Sequence, residues 1–316
     1  MEIPLQAAAR KAELPSTESP LPSSRARLGA PDNVRGLLVM AIGFALFSVA
    51  DTQAKLLTEF FHPVQIVWIR QLGLLAGVVV ALAVLGPSIF ATRHPALQFG
   101  RGLLAVTSAV CFIVAIKFVP LADAVAISFV APFLVTAMGA LFLGETVGPR
   151  RWSAVIVGFC GALIVIRPGL GVMHPAGFLV IVAATAFAAR QVLSRHLAKD
   201  DRTVTTVAYT ALVSILALSI PLPFFWTTPT FGMQWALLFG MALFAALGEL
   251  MIIKSLEIAH ASVLAPVHYS LLIWGTFWGW LVLGQLPDMW TWAGAAVIVT
   301  TGIYIIRCER KVKSGT

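Results

Sequence analysis

Charge is the scarcest commodity in this chain: Asp, Glu, Lys and Arg make up 11% of 316 residues, while 59% are hydrophobic. An ordinary soluble domain carries about 25% charged residues, so a water-soluble globule is excluded. Cysteine is nearly absent too. Cys111, Cys160 and Cys308 fall inside or just after apolar runs and offer no disulfide framework. The six histidines lack metal-ligand spacing, and no Gly-x-x-x-x-Gly-Lys-Ser/Thr loop is present, so no metal, no cofactor and no ATP hydrolysis are expected. Residues 1–34 lack the apolar core of a secretory signal; rich in Pro, Ser, Ala and Arg, they read as a disordered cytoplasmic tail.

What the chain does have is apolar length. A bilayer-spanning helix needs about 20 mostly apolar residues, and ten such runs occur, at 36–57, 63–85, 102–118, 122–143, 152–166, 177–194, 203–225, 235–256, 263–283 and 291–306. The class is an all-α membrane protein with ten transmembrane helices and the lipid bilayer as its surroundings. The net charge of +8 reports loop sidedness rather than nucleic acid binding. Apart from Lys55, Arg70, Lys117, Arg167, Arg190 and Lys254, every Lys and Arg lies on the side of the N-terminus. Both termini are therefore expected in the cytoplasm, in a multi-pass protein of the inner (plasma) membrane.

The pattern is written twice. At an offset of 140 residues, Leu143-Gly144-Glu145 returns as Leu283-Gly284-Gln285, Trp152 as Trp292 and Ile166-Arg167 as Ile306-Arg307. The same register pairs Asp51 with Gln191, Lys55 with Arg195 and Lys117 with Glu257. Two five-helix units are expected, at 35–167 and 175–307, with a basic tail at 308–316. An odd number of spans per unit inverts the second copy relative to the first, the architecture of alternating access. Pro132 and Pro266 fall at unequal places under the offset, so unequal kinks are expected. Gly73-x-x-x-Gly77 and Gly275-x-x-x-Gly279 suit close helix approach, within one chain or in a homodimer.

Charges inside such helices cost about 2.5–3.5 kcal/mol each on the mildest scale, which makes Asp51, Lys55, Arg70, Arg190 and Glu249 the candidate site. Asp51 either neutralises Lys55, one helical turn on, or binds a cationic substrate group or a proton; Arg70 stands on the adjacent run. Arg190 precedes Gln191, the repeat partner of Asp51, and is expected to hold an anionic group or to pair with Glu249. In the aromatic ninth run, Tyr269 beside His268, with Phe277, are the pocket candidates. Trp274 and Trp280 read as packing, and Trp290 and Trp292 as interface anchors. Lys117 and Asp123 are expected to pair across their hairpin as an outer gate. An enzyme acting on lipids would want paired carboxylates or a His cluster near one interface, and neither is evident.

Ten spans in two inverted halves, with Leu-Phe-Leu-Gly144-Glu145-x5-Arg151-Trp152 joining the fourth and fifth, resemble the EamA branch of the drug/metabolite transporter superfamily. Asp51-x3-Lys55, Arg70, Arg101-Gly-Leu-Leu104, Ser128-Phe-x2-Pro132 and Ala265-Pro266-x2-Tyr269 look like bacterial S-adenosylmethionine uptake carriers and the related riboflavin importers. The resemblance implies a secondary carrier of a small-molecule substrate, not an enzyme. It also implies a central cavity lined by the first, third, fourth, sixth, eighth and ninth helices. Arg70, on the second, falls outside that lining.

Overall fold

The computed structural model describes residues 33–143, 148–167, 174–197, 200–230, 232–258 and 265–314. Glu145 and the hairpin residues 259–262 lie outside them. Among the described residues the chain is helical without strands, and several of its helices open on a proline. α1 spans Asn33–Leu57; α2, Pro63–Leu85, opens on its proline, with His62 Nδ1 accepting the Val64 amide at 3.3 Å. α3, Pro95–Phe118, also begins on a proline, ahead of the apolar run, and so takes Arg101 into the helix.

The fourth span comes in two pieces, α4 (Leu121–Ser128) and α5 (Ala131–Leu143). Pro132 has no N–H for the carbonyl of Ser128, which interrupts the ladder just upstream of it. There follow α6 (Pro149–Ile166), α7 (Gly177–Leu197), α8 (Thr203–Ser219), the short α9 (Leu222–Phe225) and α10 (Gly232–Ile258). A 3-10 turn at Ala265–Tyr269 leads into α11 (Ser270–Leu283), and α12 (Met289–Ser314) ends the fold. Asp288 caps α12 by accepting the Thr291 amide at 2.8 Å. α12 also runs through most of the segment expected as a tail, since no Gly or Pro interrupts it before Gly315.

Helix ends recur 140 residues apart: Leu57 with Leu197, Phe118 with Ile258 and Leu143 with Leu283, and the starts Pro63 with Thr203 and Pro149 with Met289. Packing obeys the same exchange. α1 lies against α10 as α3 lies against α7, α2 against α10 as α8 against α3, while α6 with α12 and α2 with α8 pair counterpart to counterpart. The expected inequality of kinks does not hold. Although the prolines differ in position, Pro132 disturbs the helix upstream of itself, and Pro266 lies within the 3-10 turn from which α11 starts. The breaks therefore fall at matching places, after Ser128 and at Tyr269. Phe129 and Tyr269, 140 residues apart, meet with ring centroids at 5.3 Å. Equivalent residues can touch only where the pseudo-two-fold axis passes, so the axis runs between these rings.

Among the described residues, six helices are long and apolar enough to cross a membrane, and three further apolar helices are shorter. Val80, Leu216, Phe239 and Ile273 stand exposed on outward faces, a surface that suits hydrocarbon rather than water. Inside, small residues set the crossings: Gly43 meets Gly248 between α1 and α10, and Gly161 meets Gly294 between α6 and α12. The end of the bundle where α1 begins, the proximal rim, is laced by Asp201. Its Oδ2 accepts from Thr92 Oγ1 at 2.6 Å and from Gln98 Nε2 at 2.8 Å. Burial opposes the Asp201 charge, but the bonds from Thr92, Gln98 and the Arg93 backbone, with His94 nearby, hold its carboxyl below the ordinary 3.8.

Two predictions follow from this packing. A Cβ at Gly73 would lie 2.2 Å from the carbonyl oxygen of Ala242, whereas one at Gly77 meets nothing within 4 Å. Gly73→Ala should therefore cost about 1–3 kcal/mol in detergent melting, and Gly77→Ala should stay within about 0.5 kcal/mol of wild type. A depressed folded pKa stabilises above the unfolded value, and that contribution is lost as pH falls through the folded one. Asp201→Asn should melt below wild type at neutral pH, and the gap should close as pH falls below the ordinary carboxylate value of 3.8.

Candidate functional site

The ion pair that forms around Asp51 is with Arg70, not with Lys55. Arg70 Nη1 donates to Asp51 Oδ1 at 2.7 Å, and both side chains are 15% exposed. The Phe47 ring lies 5.1 Å from the guanidinium carbon. Lys55 turns instead to the end of α3, where Nζ donates to the carbonyls of Ile116 at 2.9 Å and Val119 at 2.6 Å. The last carbonyls of a helix lack intrahelical partners and attract a cation, and Lys55 lies a turn closer to them than Asp51 does. Asp51 stands six residues before the end of α1, and Arg70 seven after the start of α2. The pair thus lies about 10 Å inside the distal rim, at about 1.5 Å per residue.

A second charged layer lies equally deep from the proximal rim. Arg101 stands six residues into α3, Arg190 seven before the end of α7, and Glu249 nine before the end of α10. Arg101 Nε donates to Ser194 Oγ at 2.6 Å, and Nη1 donates to the Thr206 carbonyl at 3.4 Å and to Thr210 Oγ1. Arg190 lies with its guanidinium carbon 4.9 Å from the Phe187 ring. The Glu249 charge acts on both arginines. Under the repeat, Gln191 and Thr210 occupy the places of Asp51 and Arg70. The second copy therefore replaces an ion pair by neutral groups, and Arg101 and Arg190 bring the cations.

Arg101 is the residue the sequence reading missed. Starting the third helix at Gly102 left Arg101 outside as a loop charge, whereas Pro95, a favoured first-turn residue, was the available signal that the helix begins sooner.

The aromatic candidates divide. Tyr269 sits on the axis against Phe129, its hydroxyl so close to Gly302 of α12 that a Cβ there would overlap it. The His268 ring is exposed, 4.7 Å from that of Phe44 on α1. Phe277, 41% exposed, lies on the outward stripe with Ile273 and Trp280, in edge contact with Trp274 and Trp278. The structure thus sets Phe277 apart from Tyr269.

The expected Lys117–Asp123 pair does not form. Lys117 is exposed, its Nζ 5.9 Å from the Phe118 ring, while Asp123, in the first turn of α4, is buried and faces Thr291 on α12. The charged groups around Asp123 are Asp288, Arg167 and Lys55. Its Oδ1 has no hydrogen-bond donor among the described residues. Arg167 closes this rim with a 2.6 Å ion pair to Asp288. It is the one non-glycine residue with positive φ (49°) among those described, and it terminates α6. An open cleft of about 450 Å³ lies beside these groups, lined by Lys55, Glu59, Lys117, Val119, Pro120 and Gln285 among others. No group of three or more His, Cys, Asp and Glu able to hold a metal occurs among the described residues.

Two charged layers at similar depths from opposite rims of an all-helical apolar bundle suit the passage of a polar solute, and comparison with known proteins points the same way. A riboflavin transporter of Vibrio cholerae is 33% identical over 220 residues, covering 68% of this chain and 74% of that protein. An S-adenosylmethionine uptake transporter of Rickettsia bellii is 25% identical over 87% of this chain and 96% of its own length. The pseudopaline exporter CntI of Pseudomonas aeruginosa is 27% identical over 87% and 97%. A solved structure known only as "Crystal structure of protein" shares the fold at a TM-score of 0.60 and 17% identity, over 88% of this chain and 99% of that one. The sequence profile of the EamA-like transporter family matches twice, at residues 34–167 and 174–308. With both halves matched, the chain belongs to the EamA-like transporter family, as a multi-pass membrane transporter rather than an enzyme.

Proposed function

We propose that this transporter is a secondary active carrier working by alternating access, and that its leading task is uptake of a cofactor-like metabolite such as S-adenosylmethionine or riboflavin. The observation that carries the reading is the placement of Asp51 with Arg70 and of Arg101, Arg190 and Glu249 at matching depths from opposite rims. A solute entering from either side meets one layer while the other is closed behind it, and exchanging the roles of two inverted halves exchanges the layers. The excess of Lys and Arg on the proximal side supports cytoplasmic termini and, with the bacterial relatives, the inner membrane. Export is the second reading, favoured by similarity to the pseudopaline exporter over 87% of this chain.

The substrate is testable directly. Proteoliposomes loaded with S-adenosylmethionine, riboflavin, an amino acid or a nucleoside should show counterflow of one of these solutes and raised melting in its presence. A ligand at 100 times its Kd stabilises by about 2.7 kcal/mol. Counterflow of none, in protein that melts cooperatively, would sink the uptake reading.

Asp51→Asn alone leaves Arg70 without its counter-ion and should cost about 3–5 kcal/mol. The double change Asp51→Asn with Arg70→Gln should recover most of that melting loss, yet flux should stay at least about tenfold down, a deficit of about 1.4 kcal/mol in the transport barrier. Recovery of flux along with stability in the double variant would make the pair purely structural.

A further inference from the structure

The two charged layers differ in how completely they are neutralised. Asp51 and Arg70 close on each other through one direct bond. In the proximal layer, Arg101 gives its bonds to neutral oxygens, those of Ser194, Thr206 and Thr210. Ser194 in turn donates to the carbonyl of Arg190 at 2.6 Å, which ties the two arginines into one unit across α3 and α7.

Arg190 itself makes no hydrogen bond with its guanidinium among the described residues. Its Nε is enclosed without an acceptor, while Nη1 and Nη2 are not among the enclosed atoms, and the group lies over the Phe187 ring. Glu249 reaches both arginines by charge, from α10, but closes no ion pair with either among the described residues. One carboxylate therefore answers two guanidinium groups. A planar fork held over a ring, with its outer nitrogens unused, can accept the two oxygens of a carboxylate or phosphate side by side. Glu249, nine residues before the end of α10 and acting on both arginines by charge, would compete with a bound anion and keep binding weak enough for release.

We propose that Arg190, backed by Arg101, binds an anionic group of the transported solute, carboxylate or phosphate, and that Glu249 acts as the built-in competitor displaced on binding. The inference rests on the carrier reading and narrows it to solutes bearing such a group. Of the two leading candidates, S-adenosylmethionine carries a carboxylate and riboflavin does not.

The test is melting of detergent-purified protein titrated with sodium phosphate or sodium acetate against sodium chloride at equal ionic strength. Phosphate stabilises proteins generally by exclusion from their surface, so the informative quantity is a saturating shift in wild type that Arg190→Gln lacks. The apparent Kd should rise at least about tenfold in Arg190→Gln, about 1.4 kcal/mol, be partly retained in Arg190→Lys, and fall in Glu249→Gln. Phosphate acting where acetate does not would assign a phosphorylated solute, and acetate acting would assign a carboxylate.

Equal, non-saturating responses in wild type and Arg190→Gln would overturn the assignment. Should Arg190→Gln fail to fold, an unchanged anion response in Glu249→Gln would overturn it equally. Counterflow separates this from the parent reading: flux of an uncharged solute without any anion effect leaves the carrier standing and removes the anion site. A saturating anion effect in protein that moves no solute does the reverse.

Discussion

A charge inside hydrocarbon has to be answered by another charge, a helix end or a polar cavity, and that requirement organises this bundle. Arg70 crosses from α2 to reach Asp51; Lys55 bends to the exposed carbonyls at the end of α3; Arg101 threads between α7 and α8 to find two hydroxyls and a carbonyl. Each of these bonds joins helices that hydrophobic contact alone would leave free to slide, because lipid tails are as apolar as the side chains they would replace. Apolar residues decide that the chain lives in a membrane. The few charges decide which helix stands beside which.

The second organising fact is duplication. The same exchange that maps Leu57 on Leu197 and Pro63 on Thr203 maps the α1–α10 contact on the α3–α7 contact. The copies agree in backbone and have diverged in chemistry: an ion pair at Asp51 and Arg70 stands against Gln191 and Thr210, and Gly148 before α6 stands against Asp288 before α12, where the aspartate both caps the helix and holds Arg167. Divergence of this kind leaves two halves alike in backbone and unequal in the groups they offer to a solute.

Helix class and the recurrence of helix bounds at one offset were legible in the residues because apolar run length and a constant offset are long-range signals that local detail does not blur. The candidate charges were legible too, by their depth, but their partners were not. Lys55 is the nearest cation to Asp51 along the helix, yet the free carbonyls at 116 and 119 belong to another helix and cannot be seen from spacing. Asp123 and Lys117 face each other in sequence across Val119-Pro120-Leu121, while the turn aims one at α12 and the other outward. Arg101 was misplaced for a humbler reason: hydropathy marks where a helix becomes apolar, and the proline that starts it lies a turn or two sooner.

Phe129 and Tyr269 touch on the axis that exchanges the halves. If the halves exchange as the alternating-access reading requires, a residue on the axis keeps nearly the same backbone neighbours in both conformations, so replacing it changes the free energy of both by similar amounts. Substitutions there should lower abundance or melting while leaving the balance of populations nearly untouched, whereas residues displaced from the axis bias one conformation over the other. The aromatic pair is thus a fulcrum in the thermodynamic sense, and selection on directionality has little purchase on it.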